Sequence, residues 1–232
     1  VLFLRMLFMT VVSLYTVRCV LNGLGVVDYG LLNAVAGIVT ASTCVSSVLA
    51  LSTQRFYSFA MGKGQHERLR EIFSVSLNLV VILSIILLII FITLGSWFVN
   101  TQLNIPASRQ SAAQWLLILS LISFIFSILQ IPYMGAVFAH EDMEIYALIS
   151  ILDCICKLIV AVNIKNTPIN SLIFYGIGFA VIALFDLIAY IIIAKHKYKE
   201  CNYIKVTSKE TLKELISFSG WTFYGSVAGV SM

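Results

Sequence analysis

The sequence predicts an all-α fold, a polytopic transmembrane helix bundle with a six-helix lobe and the start of a seventh helix, and three observations lead there. The chain is 60% hydrophobic and 11% charged, against about 45–50% apolar and about 25% charged in soluble domains. A soluble domain so poor in charge could not cover its surface with polar groups. Apolar runs also recur at close to the ~20 residues that a helix needs to cross a ~30 Å hydrocarbon core. Finally, lysine and arginine gather in alternate loops, the asymmetry that orients membrane proteins.

The spans are read at 2–21, 29–54, 72–99, 112–139, 143–164 and 169–194, and a seventh opens near 217. "NGLGVVD" (22–28) is a turn, "GKGQHERLR" (62–70) a charged loop and "NTQLNIPASRQ" (100–110) a longer polar loop. "HED" (140–142) is a tight solvated turn, and "KNTPIN" (165–170) turns around Pro168. Gly30, Ala34, Gly37 and Ala41 recur at helical spacing in the second span. Such small residues let helix backbones approach closely or line a water-filled wall. Pro132 removes a backbone donor late in the fourth span and is expected to bend it.

Eleven Lys and Arg fall on the side of the N-terminus and the even-numbered loops, among them Arg5, Arg55, Arg68 and Lys197. Three fall on the other: Arg18, Arg109 and Lys165. That bias makes the N-terminus cytoplasmic. The hydrophilic stretch 195–214 carries Thr207 and Glu210 at capping-box spacing. Leu212, Leu215 and Ile216 then lie opposite Lys209 and Lys213, as in a short helix on the membrane surface or an ordinary solvated linker helix. The expected organisation is a lobe at 1–199, a linker at 200–216 and the truncated start of a second lobe at 217–232. Val1 and the break at Met232 within an apolar segment read as a fragment of a longer membrane protein. No basic region leads to a small-residue cleavage site, so the first span is not a removable signal peptide.

The five cysteines form no disulfide framework. Cys19, Cys44, Cys154 and Cys156 lie in apolar spans, where a thiol behaves as a small hydrophobe, and Cys201 sits in a lysine-rich loop. His66, His140 and His196 are far apart in sequence, so no metal site is expected. No nucleophile–base set or phosphate-cradling glycine loop appears, so the chain is read as no enzyme and as needing no cofactor. The net charge of +4 is too small and scattered to imply a nucleic-acid partner. The expected contacts are membrane lipids.

Ionisable groups within spans carry the functional argument, because each costs about 2.5–3.5 kcal/mol at a helix centre on insertion scales. Arg18 lies about one turn from the outer end of the first span, with Tyr15 and Asn22 on its face. It either snorkels to the headgroups or lines an aqueous cavity and attracts an anionic group. Arg55 ends the second span in "STQRF". It is either a cytoplasmic anchor or a guanidinium fork for phosphate at the inner mouth of that cavity. Asp153 and Lys157, four apart in the fifth span, read as a self-neutralising pair or a proton- or ion-sensitive switch. Asp186 in the sixth has no obvious local partner: either Lys157 or Arg18 serves it across the bundle, or it is protonated. These three acids and bases are the candidate ion-coupling set.

"RMLFMTVVSLYTVRCVLNGLGVVDYGLLNAV", "STQRFYSFAMGKG", "PYMGAVFAHEDM" and "FSGWTFYGS" together resemble the bacterial polysaccharide-biosynthesis membrane proteins of O-antigen flippase type. These belong to the multidrug/oligosaccharidyl-lipid/polysaccharide exporter superfamily, and the resemblance runs through essentially the whole chain. It implies two six-helix lobes around a central cavity that opens alternately to each side of the inner membrane. It implies a carrier of undecaprenyl-pyrophosphate-linked oligosaccharide for lipopolysaccharide synthesis, working beside a polysaccharide polymerase and assembly proteins. Arg18 and Arg55 are the cavity cations that it suggests for the pyrophosphate, and Asp28 is either a helix N-terminal acid or an outer-gate residue. The drug-antiporter branch, which typically places an acid on the first helix, and a non-transporting scaffold of the glycan assembly machinery are the rival readings. The first span holds no acid.

Overall fold

A computed structural model describes residues 2–101, 107–167, 170–204 and 209–230. It is 93% helical and has no strands among the described residues. The helices are α1 (Leu2–Gly62), α2 (His66–Thr101), α3 (Ala107–Leu129), α4 (Ile131–Ala139), α5 (Met143–Asn163), α6 (Ser171–Lys197) and α7 (Lys209–Val230). The turn at Pro168, the loop at 102–106 and Thr207 of the expected capping box lie outside the described residues.

The sequence predicts six spans, whereas among the described residues five helical stretches are long and apolar enough to cross a membrane. The two counts differ because the first two expected spans share α1. They are separated only at Gly25, whose φ of 80° and ψ of 169° break the helical course. A side chain rarely adopts that backbone, so the expected turn is a bend that glycine permits. Arg109–Ala139 counts as one stretch although α3 and α4 part at Gln130. Pro132 explains the break: it has no N–H to donate, and its ring crowds the carbonyl four residues back. α7, which begins in the expected linker and runs through the expected start of a seventh span, is not among the five.

The chain falls into two compact units. Unit 1 is Val1–Ala41, Ile86–Phe126 and Ala147–Asp186, and unit 2 is Ser42–Ile85, Ser127–Tyr146 and Leu187–Met232. Unit 1 packs Leu31, Val35, Leu116, Leu117 and Leu172 into its core, with Val20 against Ile164 in a second cluster. Unit 2 buries Tyr57, Leu69 and Ile72 and sets Phe73 edge-on to Tyr133 at 5.2 Å.

Burial corrects one reading of the small-residue stripe. Gly30 and Gly37 are exposed, and a Cβ at either would meet nothing within 4 Å. The packed face of that stretch is Asp28, Leu31 and Val35, where larger side chains at helical spacing remove more apolar area from water.

Candidate functional site

The site begins with the register of α5 on α6. A Cβ at Gly178 would lie 2.6 Å from Cγ1 of Val160, so only hydrogen fits where the two helices meet. Asp153 is seven residues before Val160 and Asp186 eight residues after Gly178. Each offset is about two helical turns, so the two acids lie at similar depth. Asp186 accordingly lies near Asp153 and Lys157. Asp153 Oδ1 and Asp186 Oδ1 are both buried, and no donor among the described residues reaches them.

Lys157 Nζ donates to Asp153 Oδ2 at 2.8 Å and lies 5.6 Å from the Phe179 ring centre on α6. Arg5 comes in from α1, where its Nη1 donates to Ser150 Oγ at 3.0 Å. Arg5, Met9, Thr10 and Ser13 of α1 face Asp153 and Lys157 of α5 across a cavity of about 410 Å³. Two cations and two acids thus meet inside membrane-spanning helices of unit 1. Such groups pair with each other or border a polar path, because lipid solvates neither sign.

The structure pairs Asp153 with Lys157 and brings Asp186 near them, while no hydrogen-bond donor among the described residues reaches Asp186 Oδ1. Sequence reasoning missed Arg5, which it counted only toward orientation. The signal was the Ser150–Asp153–Lys157 stripe at helical spacing on α5, which asks for a charged partner from a neighbouring helix.

Arg18 and Arg55 belong to different units. Arg18 is exposed beside Leu14 and Tyr15, and no side chain among the described residues pairs with it. It is 13 residues from Arg5, about 220° around the helix, and lies away from the packed face that carries Val20. Arg55 is exposed in unit 2, with its Cζ 4.3 Å above the Phe218 ring of α7. Asp28 is buried at 7% exposure and forms an ion pair with Arg109 of α3. This gives it a structural partner that the sequence did not reveal.

The "HED" segment is a clasp where the sequence predicted a solvated turn. Glu141 takes φ 59° and turns the chain. His140 pairs with Glu200 and stacks on Tyr198, with ring centres 4.1 Å apart. Lys197 donates to Asp142 at 2.7 Å, and the Tyr198 hydroxyl donates to the same carboxylate. These two hydrogen bonds hold the Asp142 carboxyl below its ordinary range. Burial, with Glu200 nearby, pushes the Cys201 thiol up to about 12. Elsewhere in unit 2, an open cavity of about 850 Å³ lies along 64–71 and Ile204.

Fold and site together define an all-α, multi-pass membrane protein with a mixed-charge cluster inside its spanning helices. No family model, curated protein or solved structure gave a match to this chain.

Proposed function

We propose that this chain is the first lobe of a carrier that flips an undecaprenyl-pyrophosphate-linked oligosaccharide outward across a bacterial inner membrane. It serves surface polysaccharide synthesis by alternating access, with no covalent step. The observation that carries the reading is the Arg5–Asp153–Lys157–Asp186 cluster beside its cavity of about 410 Å³. Charges at that depth mark transport paths more often than they serve packing alone. The resemblance of the four quoted segments supplies the substrate class. Arg18, exposed and unpaired among the described residues, and Arg55 on an exposed helix end are the cations that would meet the pyrophosphate. The positive-inside bias sets the N-terminus in the cytoplasm.

The test places the intact protein in liposomes with a fluorescent undecaprenyl-pyrophosphate oligosaccharide in the inner leaflet. The reading expects protein-dependent appearance of the probe outside, reduced by neutralising Arg18 or Arg55 singly. No protein-dependent movement refutes it. A second reading, a cation-coupled exporter of amphiphilic drugs, is favoured by the neighbouring acids Asp153 and Asp186. It expects drug resistance from the intact gene and no polysaccharide defect on its deletion.

A further inference from the structure

We infer that Phe218 of α7 is a positioning residue for Arg55: its ring carries the guanidinium and leaves the N–H donors open to a diphosphate group. The inference rests on the carrier reading and says which second element completes the anion site. Arg55 Cζ lies 4.3 Å above the centre of the Phe218 ring. A ring holds a cation through its quadrupole and supplies no oxygen acceptor in doing so. Among the described residues, no acceptor takes a hydrogen bond from Arg55 and no acid pairs with it.

Arg68, also in unit 2, is treated differently. It ends on Glu214 at 3.1 Å, so the acid one turn before Phe218 on α7 is already taken. Arg55 thus presents an unpaired fork beside an apolar ring, and phosphate oxygens accept two parallel N–H bonds from such a fork. A cation serving only as a membrane anchor needs its charge and no platform.

The ring is held in place because α7 is tied to α1 and α2 before and after it. Phe56 meets Phe218 edge-on at 5.9 Å. Ser219 Oγ donates to Ser52 Oγ at 2.9 Å, and Ser52 Oγ in turn donates to the Val48 carbonyl at 2.8 Å. Two turns before Phe218, Thr211 Oγ1 donates to Glu71 of α2 at 2.7 Å. All of these residues belong to unit 2. A long side chain gives up rotamer freedom when it binds an anion. Held over the ring, Arg55 has surrendered part of that freedom before the ligand arrives. The site is therefore composite: α1 supplies the charge, and α7 supplies the platform.

Heteronuclear NMR of arginine side chains tests this on the full chain in phosphatidylcholine nanodiscs. The Arg55 Nε–Hε resonance, assigned by its absence in Arg55→Lys, should be moved upfield by the ring current in the wild type and in Phe218→Tyr. It should lose that displacement in Phe218→Leu, which keeps apolar bulk without a ring. Inorganic pyrophosphate at constant ionic strength should move the resonance saturably, with affinity weaker by about fivefold or more in Phe218→Leu. Phe218→Tyr should bind as the wild type does. The resonances of Arg68 and Arg109, each held by an acid, should stay in place in every variant and so report an intact fold. The wild-type spectra need only the exposed Arg55→Lys change for assignment, so a Phe218 variant that fails to fold still leaves a result. A resonance without the upfield displacement, one unmoved by pyrophosphate, or equal affinities in wild type and Phe218→Leu overturns the proposal. Phosphatidylglycerol placed in the nanodiscs without pyrophosphate should leave the resonance where it is. Movement there with no response to pyrophosphate assigns Arg55 to bulk lipid headgroups and equally overturns it. Flipping that is indifferent to Phe218→Leu would refute the platform and leave the carrier reading standing. Ring-dependent pyrophosphate binding without flipping would do the reverse.

Discussion

Lys157 Nζ reaches Asp153 Oδ2 at 2.8 Å, one turn back along α5, while its ammonium stands 5.6 Å from the Phe179 ring centre on α6. One side chain thus serves two helices. Truncation should leave a half-buried carboxylate unpaired, at about 1–3 kcal/mol. Lys157→Ala should therefore lower the thermal midpoint in detergent. The double variant Asp153→Asn/Lys157→Gln should lose less than the two single variants added together, as a coupled pair requires. Strict additivity would remove the pair from the account.

The bend in α1 depends on backbone freedom, since a Cβ at Gly25 would touch nothing within 4 Å. Gly25→Ala should cost about 1–3 kcal/mol through φ alone. Gly30→Ala, on the exposed helical face beyond the bend, should cost nothing measurable or stabilise slightly. Chemical or thermal unfolding of the two variants makes the comparison.

At Gly178 the constraint is space. Gly178→Ala should push α6 from Val160, at about 1–3 kcal/mol of overpacking, and draw Asp186 away from Asp153. Adding Val160→Ala should restore most of the loss. Thermal midpoints of the single and double variants decide this.

The clasp around Asp142 gives unit 2 a pH dependence at both extremes. Lys197 first, and then Tyr198, hold the Asp142 carboxyl below its ordinary value near 3.8. Its stabilising share is therefore complete above that value and lost as pH falls through the lower folded-state value. The Cys201 thiol behaves oppositely: burial and Glu200 raise it from 9.0 to about 12. Its share is complete below about 9 and lost as pH rises toward about 12. Lys197→Met should blunt the acid limb and Cys201→Ala the alkaline limb of a midpoint-against-pH curve. In a variant with every other cysteine replaced, Cys201 should resist maleimide at neutral pH while the fold is intact.

Much of this architecture can be read from composition and spacing. The apolar runs announce the helices, the "NGLG" stretch announces a break at Gly25, and Pro132 marks the division of α3 from α4 at Gln130. The i,i+4 spacing of Asp153 and Lys157 gives their pair directly, because both lie on one helix. The partners of Asp28 and Arg5 are set by contacts between helices, which one-dimensional periodicity does not encode. Gly178 is visible in sequence as a glycine in an apolar run, but its register against Val160 is a tertiary fact. The clasp stayed hidden because "HED" and "KHKYKEC" look solvated when read separately. Their charges are satisfied by each other across 55 to 60 positions. The small-residue stripe misled for a related reason, since spacing identifies a face and cannot say what lies against it.

The central claim is that the charged cavity of unit 1 is the working centre of a carrier, and flipping in liposomes measures it most directly. With fluorescent undecaprenyl-pyrophosphate oligosaccharide, the wild-type protein should move the probe between leaflets. Lys157→Gln, shown to be folded by its thermal transition, should do so at least about tenfold more slowly, as loss of one charge-assisted contact worth about 1.4 kcal/mol or more implies. Equal rates for the wild-type and Lys157→Gln proteins would contradict the account.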